Sequence, residues 1–204
     1  MKTYKVNEIF YSLQGEGLWS GTPMVFLRFS GCNLRCPFCD TDFASGEEMT
    51  VEGILSAIDA ARKKGAPATG NKCTDGAGLC HRVVVTGGEP ALQIDCGLIE
   101  ALHSEGYLIH IETNGTRPLP DGIDWITFSP KTDWAKGAEP AIDRADELKL
   151  VYTGQDPERW TGFNAKHFFL QPCSCSNTSE VVAYVLAHPV WNLSLQTHKY
   201  LEIR

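Results

Sequence analysis

The sequence has 204 residues, 43% hydrophobic and 21% charged, with 18 Lys+Arg against 25 Asp+Glu for a formal net charge of −7. This composition excludes an intrinsically disordered chain, and the acidic balance argues against nucleic-acid binding, which needs a basic face. The longest uninterrupted apolar run, Val181–Ala187, has seven residues, far short of the roughly 20 that cross a bilayer.

The start, Met1–Lys5, leads into mixed polar residues and no apolar signal core, so a cytoplasmic protein is expected. Taken in order, buried strands are expected at Met24–Ser30, Arg82–Thr86, Tyr107–Glu112, Trp125–Phe128, Glu147–Val151 and His167–Gln171. These are short runs bounded by turn residues, and most are rich in β-branched or aromatic side chains. Asn192–Gln196 is a candidate seventh. Thr50 can cap a first helix, whose Val51, Ile54, Leu55 and Ile58 follow helical spacing and which Gly65 ends. A second helix is expected near Leu92–Glu105 and a third near Thr178–Ala187, stopped before Pro189. Gly65 to His81, with Cys73 and Cys80, reads as a surface loop.

Each helix follows one strand and precedes another, the rhythm of a parallel sheet. The rhythm lapses between Glu112 and Trp125 and again between Phe128 and Glu147, where Gly and Pro interrupt. About six parallel strands and about three helices are too few for a complete eight-unit barrel, which takes roughly 250 residues. The expectation is an α/β fold, a partial TIM-like barrel forming one domain over residues 1–204. An open doubly wound sheet is the alternative.

Parallel α/β proteins build their sites at the C-terminal ends of strands. The polar, motif-like residues fall there: Gly31–Thr41, Thr86–Pro90, Glu112–Gly115, Ser129–Lys131 and Gln171–Ser174. The first group holds Cys32, Cys36 and Cys39, three of eight cysteines. In a cytosolic chain such a cluster points to metal or catalysis rather than disulfides. Iron–sulfur clusters are usually held by four thiolates, so a fourth ligand must come from elsewhere. A closed zinc site would also want four, and Cys73, Cys80 and Cys96 are candidates for the fourth. Cys173 and Cys175 are too few for a second cluster and read as part of a small-residue turn.

Cys32-x-x-x-Cys36-x-x-Cys39, with Phe38 before the third thiol, resembles the signature of the radical S-adenosylmethionine (SAM) superfamily. Thr86-Gly87-Gly88-Glu89-Pro90 resembles its Gly-Gly-Glu-Pro motif. The resemblance implies an open or partial barrel and a [4Fe–4S] cluster on Cys32, Cys36 and Cys39. SAM would chelate the fourth iron and be cleaved by one electron to a 5′-deoxyadenosyl radical. Leu13–Gly17, Cys39–Asp42, Glu112–Gly115, Ser129–Lys131 and Leu195–Lys199 further resemble the 7-carboxy-7-deazaguanine synthase family. That implies a lyase of queuosine and deazapurine biosynthesis, converting 6-carboxy-5,6,7,8-tetrahydropterin to 7-carboxy-7-deazaguanine with loss of ammonia. It also implies Mg²⁺, a flavodoxin- or ferredoxin-type reductant, a homodimer, and neither nucleic-acid nor membrane partners.

Carried over by motif, Phe38, Cys39, Asp40, Gly88, Ser129, Pro130, Lys131, Gln171, Pro172, Cys173 and Ser174 would contact SAM. Cys173 and Ser174 depart from the family in identity, so backbone contacts are expected of them. Thr41 would ligate Mg²⁺, to which one hydroxyl is a plausible contribution. Leu13, Gln14, Gly15, Glu16, Arg28, Thr86 and the Arg204 carboxylate would meet the substrate, with the C-terminal tail closing the pocket. Arg28 lies inside the apolar run Phe26–Phe29 and needs a partner there. A substrate carboxylate supplies one; an edge strand facing water is the other reading. Glu112 and Asn114 would hold the SAM ribose, and His198 is a further pocket candidate. Another small radical SAM enzyme, such as a glycyl-radical activase, would share the cysteine loop but not Leu13–Gly17 or Gln196–Lys199. A non-enzymatic Fe–S or zinc protein would lack the strand scaffold.

Overall fold

A computed structural model describes residues 2–39, 41–65 and 81–203. In chain order the elements are β1 (Tyr4–Leu13), β2 (Pro23–Phe29), β3 (Glu47–Met49), α1 (Val51–Gly65), β4 (Arg82–Gly87), α2 (Cys96–Ser104) and β5 (Leu108–Thr113). There follow β6 (Trp125–Phe128), β7 (Arg144–Tyr152), β8 (Asn164–Pro172), α3 (Thr178–Ala187), β9 (Asn192–Leu193) and α4 (Thr197–Leu201). They form one sheet in the order β3-β1-β2-β4-β5-β6-β7-β8-β9. From β2 to β9 every pairing is parallel; β1 pairs antiparallel with both β2 and β3. All six expected strands are present, and the short β9 realises the candidate seventh.

β1 is an addition that alternation conceals. A bulge between Val6 and Glu8 puts an extra residue against β2. Tyr4 and Val6 face the helices before it, Ile9 and Tyr11 after it. The apolar positions thus change parity partway along the strand. The second helix is shorter than expected. Glu89 caps a single 3₁₀ turn at Pro90–Leu92, and Asp95 then starts α2 by accepting from Leu98 N at 3.0 Å. Leu92, taken from sequence as the first helical contact, is 43% exposed. α4 was not anticipated. The first and third helices begin and end where capping and Pro189 place them.

On the outer face, Val25, Leu27 and Phe29 of β2 and Val83 and Val85 of β4 bury against Ile54 and Ile58 of α1 and Leu98 and Leu102 of α2. Leu148 and Leu150 of β7 and Leu170 of β8 pack with Val181 of α3. The alternate residues face inward, and near the strand starts they are apolar or aromatic: Met24, Phe26 and Val84, with Phe10 and Trp19 packed on them.

The sheet is curled but unclosed, with β3 and β9 as its edges. The chain between β1 and β2 shows the curl. Gly17 N donates to Ser194 Oγ at 2.9 Å and Leu18 N to Glu147 Oε2 at 2.9 Å. It therefore bridges strands that four others separate in the sheet order. Trp19 of the same segment lies 4.1 Å over the Arg82 guanidinium and packs edge-on against His110 and Trp125. An Arg82 N–H donates to His110 Nε2 at 2.9 Å. Burial first, then the Arg82 charge, lowers His110 to about 4, so it stays neutral and able to accept. Among the described residues no helix is long and apolar enough to cross a membrane.

Candidate active site

The C-terminal strand ends enclose a cavity of about 280 Å³. Its walls are the inward residues Arg28 of β2, Thr86 of β4, Glu112 of β5, Thr127 of β6, Lys149 and Val151 of β7 and Gln171 of β8. Between them the helices and hydrophobic layers exclude water from one side only, so polar groups accumulate where the barrel opens.

Cys32, Cys36 and Cys39 all border this cavity, with Phe38 and Thr41 from the same loop. The loop is pinned at both flanks. Gly31 N donates to Phe43 O at 2.9 Å, and Glu89 N donates to Gly31 O at 2.9 Å. Asn33 Nδ2 donates to Thr116 Oγ1 at 2.7 Å, and Asn33 Oδ1 accepts from Asn114 Nδ2 at 3.2 Å. Burial pushes the Cys32 and Cys36 thiols up, while the Lys131 ammonium opposes it at Cys36. Burial likewise lowers Lys131 to about 8. Lys131 donates to Ser129 O at 2.8 Å, and both residues line the cavity. Pro130 is buried and does not line it.

Gly88 borders the cavity, but its smallness answers to protein. A Cβ there would sit 2.0 Å from Gly31 O and 2.9 Å from Cys32 Cβ. Only glycine lets the β4 end pack on the cysteine loop. The buried Glu89 beside it ties three segments together. It accepts from Ala91 N at 3.0 Å, Thr113 Oγ1 at 2.6 Å and Asn114 N at 2.7 Å.

On the opposite wall lie Leu13, Gln14, Gly15 and Glu16, together with Gln196 and His198 from the C-terminal segment. Thr197 N and Oγ1 donate to Gly15 O at 2.9 and 3.0 Å. A Cβ on Gly15 would fall 2.1 Å from His198 Nδ1. Gly15→Ala should therefore displace His198 and loosen α4, costing about 1–3 kcal/mol as overpacking does. A lower urea midpoint and faster amide exchange over 197–203 are expected; unchanged exchange there would refute the contact.

Arg28 lines the cavity, yet its burial has a protein partner: its Nε donates to Glu8 Oε1 at 2.9 Å. The need for a partner is thus met without a ligand. Asn114 and Glu112 reach the cavity, as do Pro172, Cys173 and Ser174. Cys173 N donates to Asn177 Oδ1 at 2.9 Å, and Ser174 and Cys175 take positive φ of 46° and 63°. Cys96 is exposed at the start of α2 and away from the cavity. Asp40, Arg204, Cys73 and Cys80 lie outside the described residues. Sequence reasoning missed Lys149, Gln196 and Thr127. A lysine alternating with Glu147 inside an apolar strand was the available signal.

Residues 27–133 match the model of the radical SAM superfamily. The chain is 52% identical over 200 residues to the 7-carboxy-7-deazaguanine synthase of Bacteroides thetaiotaomicron, covering 98% of each protein. It is 45% identical over 221 residues to the enzyme of that name from Nitratidesulfovibrio vulgaris, covering 98% of this chain and 99% of that one. The crystal structure of QueE from Escherichia coli superposes with a TM-score of 0.72 at 26% identity, over 95% of this chain and 93% of that one.

Proposed function

Because this chain belongs to the 7-carboxy-7-deazaguanine synthase family of the radical SAM superfamily, we propose that it catalyses that family's reaction. This is the ring contraction of 6-carboxy-5,6,7,8-tetrahydropterin to 7-carboxy-7-deazaguanine with release of ammonia, a step of queuosine and deazapurine biosynthesis. The observation that carries the reading is the meeting, in one cavity, of the cysteine loop with Leu13–Glu16 and with Gln196 and His198 from the other end of the chain.

The donor set fits a [4Fe–4S] cluster. Cys32, Cys36 and Cys39 would each give a thiolate to one iron, and metal would displace the protons that burial retains on Cys32 and Cys36. Cluster and SAM together supply the one-electron chemistry that starts the reaction. Phe38, Asp40, Gly88, Ser129, Pro130, Lys131 and the Gln171–Ser174 turn would hold SAM, with Glu112 and Asn114 on its ribose. Asp40 enters by motif alone. Pro130, set back from the cavity, would act by shaping Ser129 and Lys131. Arg28 keeps its terminal nitrogens for the substrate carboxylate while Glu8 holds Nε. Leu13, Gln14, Gly15, Glu16, Thr86, His198 and the Arg204 carboxylate would complete the pterin pocket, and Thr41 would offer its hydroxyl to Mg²⁺. The C-terminal tail closes the pocket over a single domain. The enzyme works in the cytoplasm as a homodimer with a flavodoxin- or ferredoxin-type reductant.

Anaerobic reconstitution with iron and sulfide, then SAM, reductant and the carboxytetrahydropterin, tests the reading. The expected products are 5′-deoxyadenosine, ammonia and 7-carboxy-7-deazaguanine. Absence of the deazapurine would overturn it.

A further inference from the structure

Lys149 is 4% exposed on the inward face of β7. Its ammonium contacts Glu16 and lies 3.5 Å from Glu112 Oε2. The remaining oxygens of the same carboxylates are taken by amides. Gln196 Nε2 donates to Glu16 Oε1 at 2.9 Å, and Gln14 Nε2 to Glu112 Oε1 at 3.0 Å. Gln14, Glu112, Lys149, Glu16 and Gln196 thus form one continuous polar chain across the cavity wall. It joins the end of β1, β5, β7 and the approach to α4.

We infer that Lys149 is a positioning residue for substrate: held between Glu112 and Glu16, it clamps Glu16 as a fixed acceptor for the N–H edge of an aminopyrimidinone ring. The inference rests on the function proposed above and deepens it. The 2-amino-4-oxo edge of a pterin presents adjacent N–H donors, and charge-assisted acceptance from carboxylates is the strong form of that bond. Two unscreened carboxylates in a desolvated cavity repel, and burial favours protonating one of them. The lysine removes both problems at once.

The charges facing the chain agree. Burial works to raise Glu16, but Lys149 together with the Gln196 bond overrides it and holds Glu16 at about 2. Burial works to lower Lys149, and Glu112, Glu16 and Glu147 together carry it well above its ordinary value. Glu147, on the same strand, is raised by burial. Lys131 beyond β6 and His198 on α4 are the other ionisable neighbours of this chain. A depressed carboxyl is ionised throughout the range above its ordinary value, and its contribution is lost only as pH falls through about 2. Binding by the intact protein should therefore be flat from neutral to mildly acidic pH. Without Lys149, burial is no longer overridden and Glu16 takes up a proton in that range.

The test uses 6-carboxypterin, a stable fluorescent analogue, titrated into the reconstituted protein across pH. 6-Carboxylumazine, with an oxo group in place of the 2-amino donor, is the comparison. Lys149→Met should weaken 6-carboxypterin roughly 10- to 100-fold, the loss of a charge-assisted bond. It should also acquire an acid limb and lose preference over the lumazine, with iron content unchanged. Lys149→Arg should recover part of the affinity and the flat profile. Lys149→Gln, which keeps a donor without charge, reads the same effect should the methionine variant fold poorly. Wild-type affinity and pH profile in both uncharged variants would overturn the inference alone. So would equal loss of both analogues together with a lower urea midpoint, the mark of a merely structural lysine. A wild-type protein that binds neither analogue would overturn the substrate reading and this inference with it.

Discussion

Replacing Cys36 with alanine is expected to yield a folded protein that assembles no intact [4Fe–4S] cluster and cleaves no SAM. Cys36 is half-buried on a loop whose anchors lie elsewhere. The contacts Gly31 N to Phe43 O, Glu89 N to Gly31 O and Asn33 to Thr116 all survive the change. So does the Cys39 N to Cys36 O turn, which uses backbone alone. Stability should therefore move by no more than about 0.5 kcal/mol, as for substitutions away from packed features. The metal site cannot adjust in the same way. Two remaining thiolates leave two irons without protein ligands, and Cys96, at the start of α2 away from the cavity, offers no replacement. Iron and sulfide content, visible absorbance and electron paramagnetic resonance check the cluster; 5′-deoxyadenosine formation checks its chemistry. A variant that kept a SAM-cleaving cluster would show that Cys36 is not a ligand. Cys96→Ala, exposed on α2, serves as the contrast and should reconstitute like the parent.

Legibility in the sequence followed the physics of each element. The strands β4 to β8 bury one face under helices and turn the other into the barrel, so they read as short apolar runs bounded by turns. β1 did not, because its bulge reverses parity and splits one strand into two weak patterns. α2 was drawn too long because helical spacing also fits Leu92 and Ile94, whereas Asp95 supplies the cap. The cysteine loop was legible because three thiols in eight residues have few structural uses. Other site residues were legible only as motif letters. Gly88 reads as room for a ligand, yet the space it leaves is filled by Gly31 and Cys32. Arg28 reads as an orphan, and its partner Glu8 is on the strand that parity hid. Lys149 is the reverse case: its two acids come from segments 133 and 37 residues away. No local pattern announces such a contact.

Glu89→Ala should cost more stability than any other single change in the Gly-Gly-Glu-Pro motif outside its glycines. The side chain is fully buried and accepts three hydrogen bonds, from Ala91 N, Thr113 Oγ1 and Asn114 N. Alanine leaves two buried donors, on Thr113 and Asn114, and the half-buried Ala91 N–H without an acceptor, each buried one worth about 1–3 kcal/mol. A net loss of about 3–5 kcal/mol is expected, a large share of the 5–15 kcal/mol that holds a typical domain. The urea midpoint of the metal-free protein, measured anaerobically, reads it. Glutamine should recover only part: its oxygen can serve Thr113 and Ala91, but its NH₂ then opposes the Asn114 N–H. The effect has a pH signature. Burial raises the Glu89 carboxyl despite those three bonds. A raised acid gives stability that is full below its unfolded value and is lost as pH rises through the folded one. The gap between parent and Ala variant should thus be widest in acid and narrow toward neutral pH. The damage should also travel. Asn114 bonds to Asn33 on the cysteine loop, so freeing Asn114 unpins the segment that carries Cys32 and Cys36. Cluster loading should fall even at denaturant-free pH values where the variant is still folded. An Ala variant with the parent's urea midpoint and iron content would mean that the β4 end is held by the glycine packing alone.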